Sequence, residues 1–237
     1  MNAVRTIASH SPNNIKRAYF TPETIQAKSL EILEELRPFR KVRNNLDFDP
    51  GRAALLILDM QHYFLDETSH AHIPSALAVL PRIRKLADVF QTADLPVILT
   101  RHINSAANAR LMARWWRELI SETSAAGHIH PDLDLPDAIV VPKTQYDGFY
   151  QTPLEEILKE KRIRQLVITG VMTHLCCETT ARSAFVRGFA VFLPVDGTAT
   201  LNEAFHRASL LNLAHGFGIP VLVQEIQTAV ETHSRGR

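Results

Sequence analysis

The chain is poor in cysteine. Only two cysteines occur among 237 residues, adjacent at positions 176 and 177, and the sequence has no CxxC motif or second Cys/His pair. This scarcity argues against a thioredoxin-like redox site and a cysteine-based zinc site. Adjacent cysteines also rarely bridge, because their Cα atoms lie at the short end of disulfide geometry. Unpaired thiols are typical of a reducing compartment, so we expect a cytoplasmic protein.

The chain also has little net charge and no long apolar run. A formal net charge of +1 offers no electrostatic basis for binding nucleic acid or an anionic membrane surface. No run approaches the roughly 18 apolar residues that span a bilayer, and the N-terminus lacks the apolar core of a signal peptide. Since 46% of the residues are hydrophobic and 22% charged, we expect a globular enzyme with a small-molecule substrate.

Apolar runs alternate with helical patterns along most of the sequence. The predicted strands are 53–58, 97–99, 139–141, 166–168, 191–193 and 221–223. The predicted helices are 75–93, 107–120, 152–161, 179–187 and 202–217. About six strands separated by helices predict an α/β fold, in which an open, doubly wound parallel sheet lies between two helical layers.

Residues 1–50 precede this alternation and are predicted to form an N-terminal extension to a domain over 51–237. Thr21 can cap a helix that has Pro22 at its first position, and Pro38 is expected to end it. Four apolar residues share one face of this amphipathic helix: Ile25, Ile32, Leu33 and Leu36. Such a helix usually packs on its own domain or on a neighbouring subunit.

The two cysteines follow a predicted buried strand and a glycine-bearing turn, and a predicted helix follows them. A thiol at such a turn lies near a helix N-terminus, where partial positive charge favours the thiolate and N–H groups can hold an oxyanion. We therefore interpret the turn as the position of a nucleophile. The alternative is a buried cysteine that packs as a small hydrophobe.

Two charged residues lie at the ends of other predicted strands. Asp59 ends the first strand, where burial raises a carboxyl pKa and suits it to proton transfer, although it could equally cap a helix. Lys143 follows the third strand and could pair with Asp59 and lower a thiol pKa. Because ligands bind beyond the carboxyl ends of the strands in such folds, a Cys/Asp/Lys site is possible at this edge.

Three motifs, in this order along the chain, resemble those of a known family. They are Leu-Asp59-Met-Gln61-x-x-Phe64, Lys143-x-x-Tyr146-x-x-Phe149 and Gly170-Val171-x-Thr173-x-x-Cys176-x-x-Thr179-x-Ala181-Arg182. Over about residues 52–223 the chain resembles the isochorismatase-like cysteine hydrolases. The resemblance implies a Rossmann-like sheet and a catalytic triad of Asp59, Lys143 and Cys176.

The resemblance also implies a mechanism. Cys176 would attack an amide or related carbonyl, Asp59 would transfer protons, and Lys143 would orient both and lower the thiol pKa. A non-proline cis peptide would precede Met172, whose N–H would form an oxyanion hole with the N–H of Cys176. Cys177 is expected to pack. No cofactor is implied, and we expect a homo-oligomer, either a dimer or a tetramer.

True isochorismatases typically have glycine where this chain has Cys176. The cysteine therefore favours hydrolysis of a C–N bond in an amide, ureido or N-carbamoyl compound through a thioester. Two alternatives stay open, namely a vinyl-ether hydrolase that releases pyruvate and a catalytically silent binding module of the same fold.

Residues around these motifs are candidates for contacting the substrate. The predicted set is Gln61, Phe64, Arg101, His102, Trp116, Tyr146, Phe149 and His174. An arginine after the second strand could clamp a carboxylate beside Trp116, or the segment could be a surface helix. His174 is expected either to hold its turn by hydrogen bonds or to line the pocket, and Asp147 favours a turn.

Metal binding is not expected. The nicotinamidase branch of the family binds a metal through an Asp-x-His pattern, which is absent at the end of the second strand, where residues 100–104 read Thr-Arg-His-Ile-Asn. A site formed by His102 with a histidine from a loop is the alternative.

Overall fold

The computed structural model describes residues 16–41 and 46–236, so residues 1–15 and 42–45 of the predicted extension lie outside the described residues. The strands in these ranges are β1 (Ala53–Leu58), β2 (Val97–His102), β3 (Ile139–Lys143), β4 (Gln165–Val171), β5 (Ala190–Pro194), β6 (Thr198–Ala199) and β7 (Ile219–Val221). The α-helices are α1 (Ile25–Lys41), α2 (His62–Leu65), α3 (Ala76–Thr92), α4 (Met112–Trp115), α5 (Leu154–Glu160), α6 (Glu178–Val186), α7 (Glu203–Gly216) and α8 (Val223–Arg235).

The strands form one parallel sheet in the order β3-β2-β1-β4-β5-β7, and the short β6 pairs with β4. The chain builds the sheet outward in two directions, from β1 to β2 and β3 on one side and from β4 to β5 and β7 on the other, as in a Rossmann-like doubly wound sheet. The predicted fold class is therefore confirmed. All six residues of β1 are buried, which is the pattern of a strand covered by helices on both faces. The sheet therefore has its topological switch point between β1 and β4.

The helices form the two outer layers. Helices α3 and α8 pack on each other, and α6 packs against α7. Right-handed crossovers place the helix after β1 and the helix after β4 on opposite faces, because the chain leaves these strands in opposite directions across the sheet. None of the helices in residues 16–41 and 46–236 is long and apolar enough to cross a membrane.

Two predicted elements differ from the structure. The helix predicted over 107–120 is reduced to α4, because Arg110 has a φ of 52° and cannot continue a right-handed helix. The strand predicted over 221–223 ends at Val221. Val223 instead begins α8, whose start is capped by the carboxylate of Glu225, which accepts from the backbone N–H of Leu222 at 2.7 Å.

The helix of the N-terminal extension begins and ends later than predicted, because α1 starts at Ile25 and not at Pro22 and continues to Lys41. The hydroxyl of Thr21 accepts from the backbone N–H of Thr24 at 3.3 Å, and the resulting turn leads into α1. Pro38 lies inside α1 and does not end it, because a proline in the last turn removes a single backbone donor near an exposed helix end. Helix α1 packs on α7 of the same chain, with Ile25, Ile32 and Leu36 buried.

Candidate active site

Asp59 directly follows β1 and is fully buried. Its φ of 52° turns the chain away from the sheet, in a left-handed conformation that a short polar side chain tolerates better than most. The hydroxyl of Thr100, on β2, donates to one carboxylate oxygen of Asp59 at 2.7 Å. The other oxygen lies 2.7 Å from the ammonium nitrogen of Lys143. The carboxylate is therefore held between two neighbouring strands.

Lys143 is the last residue of β3, and its side chain is fully buried. Besides the ion pair with Asp59, its Nζ donates to the backbone carbonyl of Gln145 at 2.9 Å and lies 3.2 Å from Nδ1 of His102. The same nitrogen lies 3.4 Å from Sγ of Cys176. Lys143 therefore joins the carboxylate and the thiol in one buried cluster.

Cys176 lies in a π-helical turn, Thr173–Cys177, that connects β4 to α6. The chain enters this turn through Gly170, whose φ is 104° and where a Cβ would lie 2.1 Å from the backbone oxygen of Leu58. Only glycine fits there, because the backbones of β1 and β4 approach so closely. The peptide bond between Val171 and Met172 is cis, as the family resemblance implied.

The charged forms of Asp59 and Lys143 stabilise each other. Burial is the largest single effect and penalises both charges, but the attraction between them, together with neighbouring charges and hydrogen bonds, outweighs it. The pKa of Asp59 is therefore below its usual value and the pKa of Lys143 is above its usual value. The hydrogen bond from Thr100 and the positive charge of Lys143 hold the carboxylate in place. The site therefore contains a preorganised base and a permanent cation next to a thiol.

The expectation of a lowered thiol pKa is wrong for the resting site. Burial raises the pKa of Cys176 to about 12, and the lowering effect of Lys143 is smaller than this penalty. The neighbouring Asp59 carboxylate raises the thiol pKa further. Cys176 is consequently a neutral thiol at pH 7, and the ionised carboxylate beside it can accept its proton.

Cys177 has a different environment from Cys176. It is fully buried, its Sγ faces the backbone carbonyl of Thr169 at 3.9 Å, and burial raises its pKa well above the usual value. The sulfur faces β4, which agrees with its interpretation as a packing residue.

His102 is neutral and has both ring nitrogens engaged. Burial, followed by the charge of Lys143, lowers its pKa to about 4. Its Nδ1 accepts from Lys143, which fixes the proton on Nε2, and Nε2 donates to Oδ1 of Asn104 at 2.7 Å. Asn104 in turn donates to the backbone carbonyl of Thr144 at 2.8 Å. Within residues 16–41 and 46–236, no group of three His, Cys, Asp or Glu side chains could hold a metal ion.

A pocket of about 150 Å³ opens above this cluster. The predicted site residues that line it are Phe64, His102, Trp116, Tyr146, Met172 and Cys176. The indole N–H of Trp116 donates to the hydroxyl of Tyr146 at 2.8 Å and so orients one wall. Because Cys176 lines the pocket and the Asp59–Lys143 pair lies behind it, a small molecule that fills the pocket would contact the thiol.

Two of the predicted substrate contacts instead hold the backbone. Gln61 is buried and pairs with His102 N (2.8 Å), His102 O (3.0 Å) and Gly127 O (2.8 Å). Arg101 donates to the carbonyl of Gly127 at 2.8 Å and forms an ion pair with Glu122 at 3.1 Å. Neither side chain lines the pocket, because their polar groups are used to anchor the loop after β2.

Phe149 and His174 also lie outside the pocket lining. Phe149 is buried and stacks on Phe189 with 6.0 Å between ring centroids, so it belongs to the core. His174 stacks on Phe205 at 4.6 Å and its Nδ1 lies 2.5 Å from the hydroxyl of Thr200. Of the two expectations for His174, the structure matches the hydrogen-bonded turn.

Asp147 forms a turn, as the sequence favours. Its carboxylate accepts from the backbone N–H of Phe149 at 2.8 Å and from the hydroxyl of Ser183 at 2.7 Å. The side chain is absent from the pocket lining.

The remaining lining residues were not predicted from the sequence as substrate contacts. They are Lys16, Tyr63, His70, Ala71, Asn104, Met112, Glu118, Leu119, Ile120 and Leu201. Tyr63 and Asn104 follow the ends of β1 and β2 closely, and that position was a usable signal. Lys16 carried no such signal, because it lies in the extension, more than thirty residues before β1.

Comparisons with known proteins identify the family of the chain. The isochorismatase domain model matches residues 53–225. Nicotinamidase 3 of Arabidopsis thaliana is 36% identical over 171 residues, covering 70% of this chain and 82% of that protein. The ureidoacrylate amidohydrolase RutB of Methylobacterium radiotolerans is 33% identical over 222 residues, covering 79% and 83% respectively.

Among solved structures, a cysteine hydrolase from Pseudomonas syringae pv. phaseolicola has the same fold. Its TM-score is 0.74 at 24% sequence identity, over 79% of this chain and 96% of that one. The family predicted from the three motifs is thus confirmed by the sequence match and by the fold. The chain is a hydrolase that belongs to the isochorismatase-like family.

Proposed function

We propose that this protein is a cysteine hydrolase that cleaves a C–N bond of a small molecule, in an amide, ureido or N-carbamoyl group, through a covalent thioester. The observation that carries the proposal is the buried cluster in which Lys143 Nζ lies 2.7 Å from Asp59 and 3.4 Å from Cys176 Sγ. A nucleophile, an ionised base and a fixed cation are the groups that acyl transfer requires.

The first half-reaction begins with a neutral thiol. As Sγ of Cys176 attacks the carbonyl carbon, the Asp59 carboxylate takes the thiol proton, and the carbonyl π electrons move to oxygen. In this proposal the backbone N–H groups of Met172 and Cys176 donate to the oxyanion. Lys143 keeps its proton, and its charge stabilises the sulfur as negative charge develops on it.

Collapse of the tetrahedral intermediate breaks the C–N bond. Protonated Asp59 gives its proton to the leaving nitrogen, so that ammonia or an amine departs and a thioester to Cys176 remains. Water then attacks the thioester while Asp59 accepts one of its protons, and that proton returns to sulfur as the acyl product leaves. The enzyme regains its neutral thiol and ionised carboxylate.

The names of the two curated relatives support C–N hydrolysis, since one is a nicotinamidase and the other a ureidoacrylate amidohydrolase. The family name supports the alternative, a vinyl-ether hydrolase acting on isochorismate. Vinyl-ether cleavage needs acid protonation by Asp59 and no thiol, so Cys176 at the pocket floor favours the amide chemistry. Intact Asp59, Lys143 and Cys176 also argue against a silent binding module.

A substrate panel tests the proposal. We expect ammonia or amine release from at least one small amide, ureido or N-carbamoyl compound and little pyruvate release from isochorismate. Turnover should be lost in Cys176→Ala. Rapid pyruvate release that persists in Cys176→Ala would contradict the thiol mechanism and support the vinyl-ether alternative.

A further inference from the structure

A short stretch before α1 reaches the candidate active site. This N-terminal segment, residues 16–20, precedes the matched domain, which starts at residue 53. Its backbone is hydrogen-bonded to two parts of the domain. The N–H of Arg17 donates to the carbonyl of Leu201, just after β6, at 2.9 Å, and the N–H of Tyr19 donates to the hydroxyl of Ser75, at the start of α3, at 2.9 Å. The segment is therefore part of the folded domain.

Side chains anchor the same segment beside the π-helical turn Thr173–Cys177, the nucleophile turn. The hydroxyl of Tyr19 accepts from the backbone N–H of Thr200 at 3.0 Å, and the rings of Tyr19 and Phe20 lie 5.1 Å and 5.3 Å from the buried imidazole of His206. His206 itself lies 3.0 Å from the hydroxyl of Thr173, the first residue of the nucleophile turn. These contacts fix where the segment starts, and hence where Lys16 lies.

Lys16 supplies a positive charge to the pocket. Among the residues described as lining it, Lys16 is the only lysine or arginine. Its ammonium group donates to the backbone carbonyl of His70, and no carboxylate of the described residues lies within ion-pair distance of it. One donor of this group is therefore engaged by a neutral oxygen, while its charge has no close counter-ion among the described residues.

Two other charged side chains near the pocket, Glu118 and Arg101, have partners of their own. Glu118, the carboxylate that lines the mouth, lies 3.1 Å from Nδ1 of His70. Arg101 is paired with Glu122 on the far side of the loop after β2. Lys16 is thus the cation that an anionic ligand would meet among the described lining residues, and the rest of that lining is largely aromatic and aliphatic.

From this arrangement we infer that Lys16 is a specificity-determining residue that binds an anionic group, such as a carboxylate, at the end of the substrate away from the scissile C–N bond. The inference rests on the proposed function for the reaction at Cys176 and adds the substrate class. The N-terminal segment would then be a functional wall of the active site, supplied from outside the matched domain.

Pairs of compounds that differ only in charge test this inference. We suggest a ladder of monoamides of linear dicarboxylic acids, from succinamate upward, against the corresponding diamides, which have nearly the same shape and no charge. The unmodified protein should prefer the monoamide of one chain length, after correction for the two amides of each diamide. Lys16→Met should lower kcat/KM for that monoamide by roughly tenfold or more, because a charge-assisted hydrogen bond is lost.

The same substitution should leave kcat/KM for the diamide unchanged, and Lys16→Arg should retain the preference for the monoamide. Lys85→Met, on the exposed face of α3, is the control and should change kcat/KM for neither compound. Equal losses on monoamide and diamide, or no loss on either, would overturn the inference.

Binding to the Cys176→Ala protein separates this inference from the proposed reaction. If no amide is cleaved, the proposed function fails, while calorimetric binding of a monoamide that is lost on adding Lys16→Met still supports the anion subsite. Equal affinity for monoamide and diamide in Cys176→Ala would overturn the subsite even if amides are cleaved by the unmodified protein.

Discussion

The pocket has a floor and a mouth that are built from different kinds of structure. The floor is Cys176 with Asp59 and Lys143 behind it, and the mouth is lined by His70, Trp116 and Glu118. At the floor, Asp59 follows β1, Lys143 ends β3, and both side chains are completely buried. Parallel ladders between β1 and β2 and between β2 and β3 fix these strand ends relative to each other. A charge removed from the floor leaves its partner buried and unpaired, which is costly.

The mouth consists of loop residues with partial exposure. Trp116 is 37% exposed, and the side chains of His70 and Glu118 are 31% and 53% exposed. Solvent screens charges at such positions, and single hydrogen bonds there contribute modestly. The comparison therefore separates chemistry, which the sheet holds rigidly, from specificity, which the loops and the N-terminal segment can vary.

The two adjacent cysteines give the largest expected contrast. Cys176→Ala should lower kcat by more than roughly ten-thousandfold, because the nucleophile acts as a unit with its base and cation. Cys177→Ala should keep most of the activity, since that sulfur packs against Thr169 away from the pocket. Steady-state ammonia release from both purified variants, with folding checked by circular dichroism, measures this contrast. A greater loss in Cys177→Ala would reverse the assignment.

Neutral substitutions of the floor charges should have the next largest effect. Asp59→Asn and Lys143→Met should each reduce kcat by roughly a hundredfold to a thousandfold, because proton transfer and charge stabilisation at sulfur are lost. The double variant should be little slower than Asp59→Asn alone. If its loss equalled the product of both single losses, the two residues would act independently, contrary to a coupled floor.

Stability against pH tests the buried ion pair directly. The lowered pKa of Asp59 contributes stability that is present above its unfolded pKa and is lost as pH falls through the folded value. In Lys143→Met the carboxylate stays buried without its cation, so its pKa should rise above the unfolded value. That variant should be destabilised by about 3 to 5 kcal/mol at neutral pH.

The deficit of Lys143→Met should shrink on acidification, as Asp59 takes up a proton. Urea unfolding of both proteins between neutral and mildly acidic pH measures this change. Lys143→Met with Asp59→Asn is the matched control, because it has no carboxylate to titrate and its deficit should not change over the same range. A constant deficit in the single variant would contradict the paired charges.

A wall residue should give the smallest effect. Trp116→Phe removes the indole donor to Tyr146 but keeps an aromatic ring, and should raise KM by about two- to tenfold with kcat nearly unchanged. Trp115→Phe is the matched control, since Trp115 is 78% exposed and does not line the pocket. A large fall in kcat for Trp116→Phe would mean that mouth and floor are not separable.

The sequence predicted the floor far better than the mouth, for a physical reason. Buried strands appear as apolar runs, and a polar residue at the end of such a run must lie at the sheet edge, which located Asp59 and Lys143. The loop after β2 has no such periodicity. Its helix was predicted too long because nothing in the sequence shows the positive φ of Arg110.

The direction in which the pKa of Cys176 is shifted could not be predicted from the sequence either. A helix N-terminus and a lysine both favour thiolate, but the extent of burial, which raises the pKa of Cys176, depends on packing from several elements. Gln61 belongs to the first motif and Arg101 lies near the end of β2, yet both side chains satisfy the backbone carbonyl of Gly127. The homo-oligomer and the cytoplasmic location stay predictions.

The covalent intermediate is the most direct test of the central claim that the floor performs thiol chemistry. The unmodified protein should be mixed with a slowly cleaved amide, quenched in acid and examined by intact-protein mass spectrometry. We expect an added mass equal to the acyl group on the peptide that contains Cys176, absent in Cys176→Ala, and a hydroxamate when hydroxylamine is present. Full turnover with no adduct at any quench time and no hydroxamate would contradict the account.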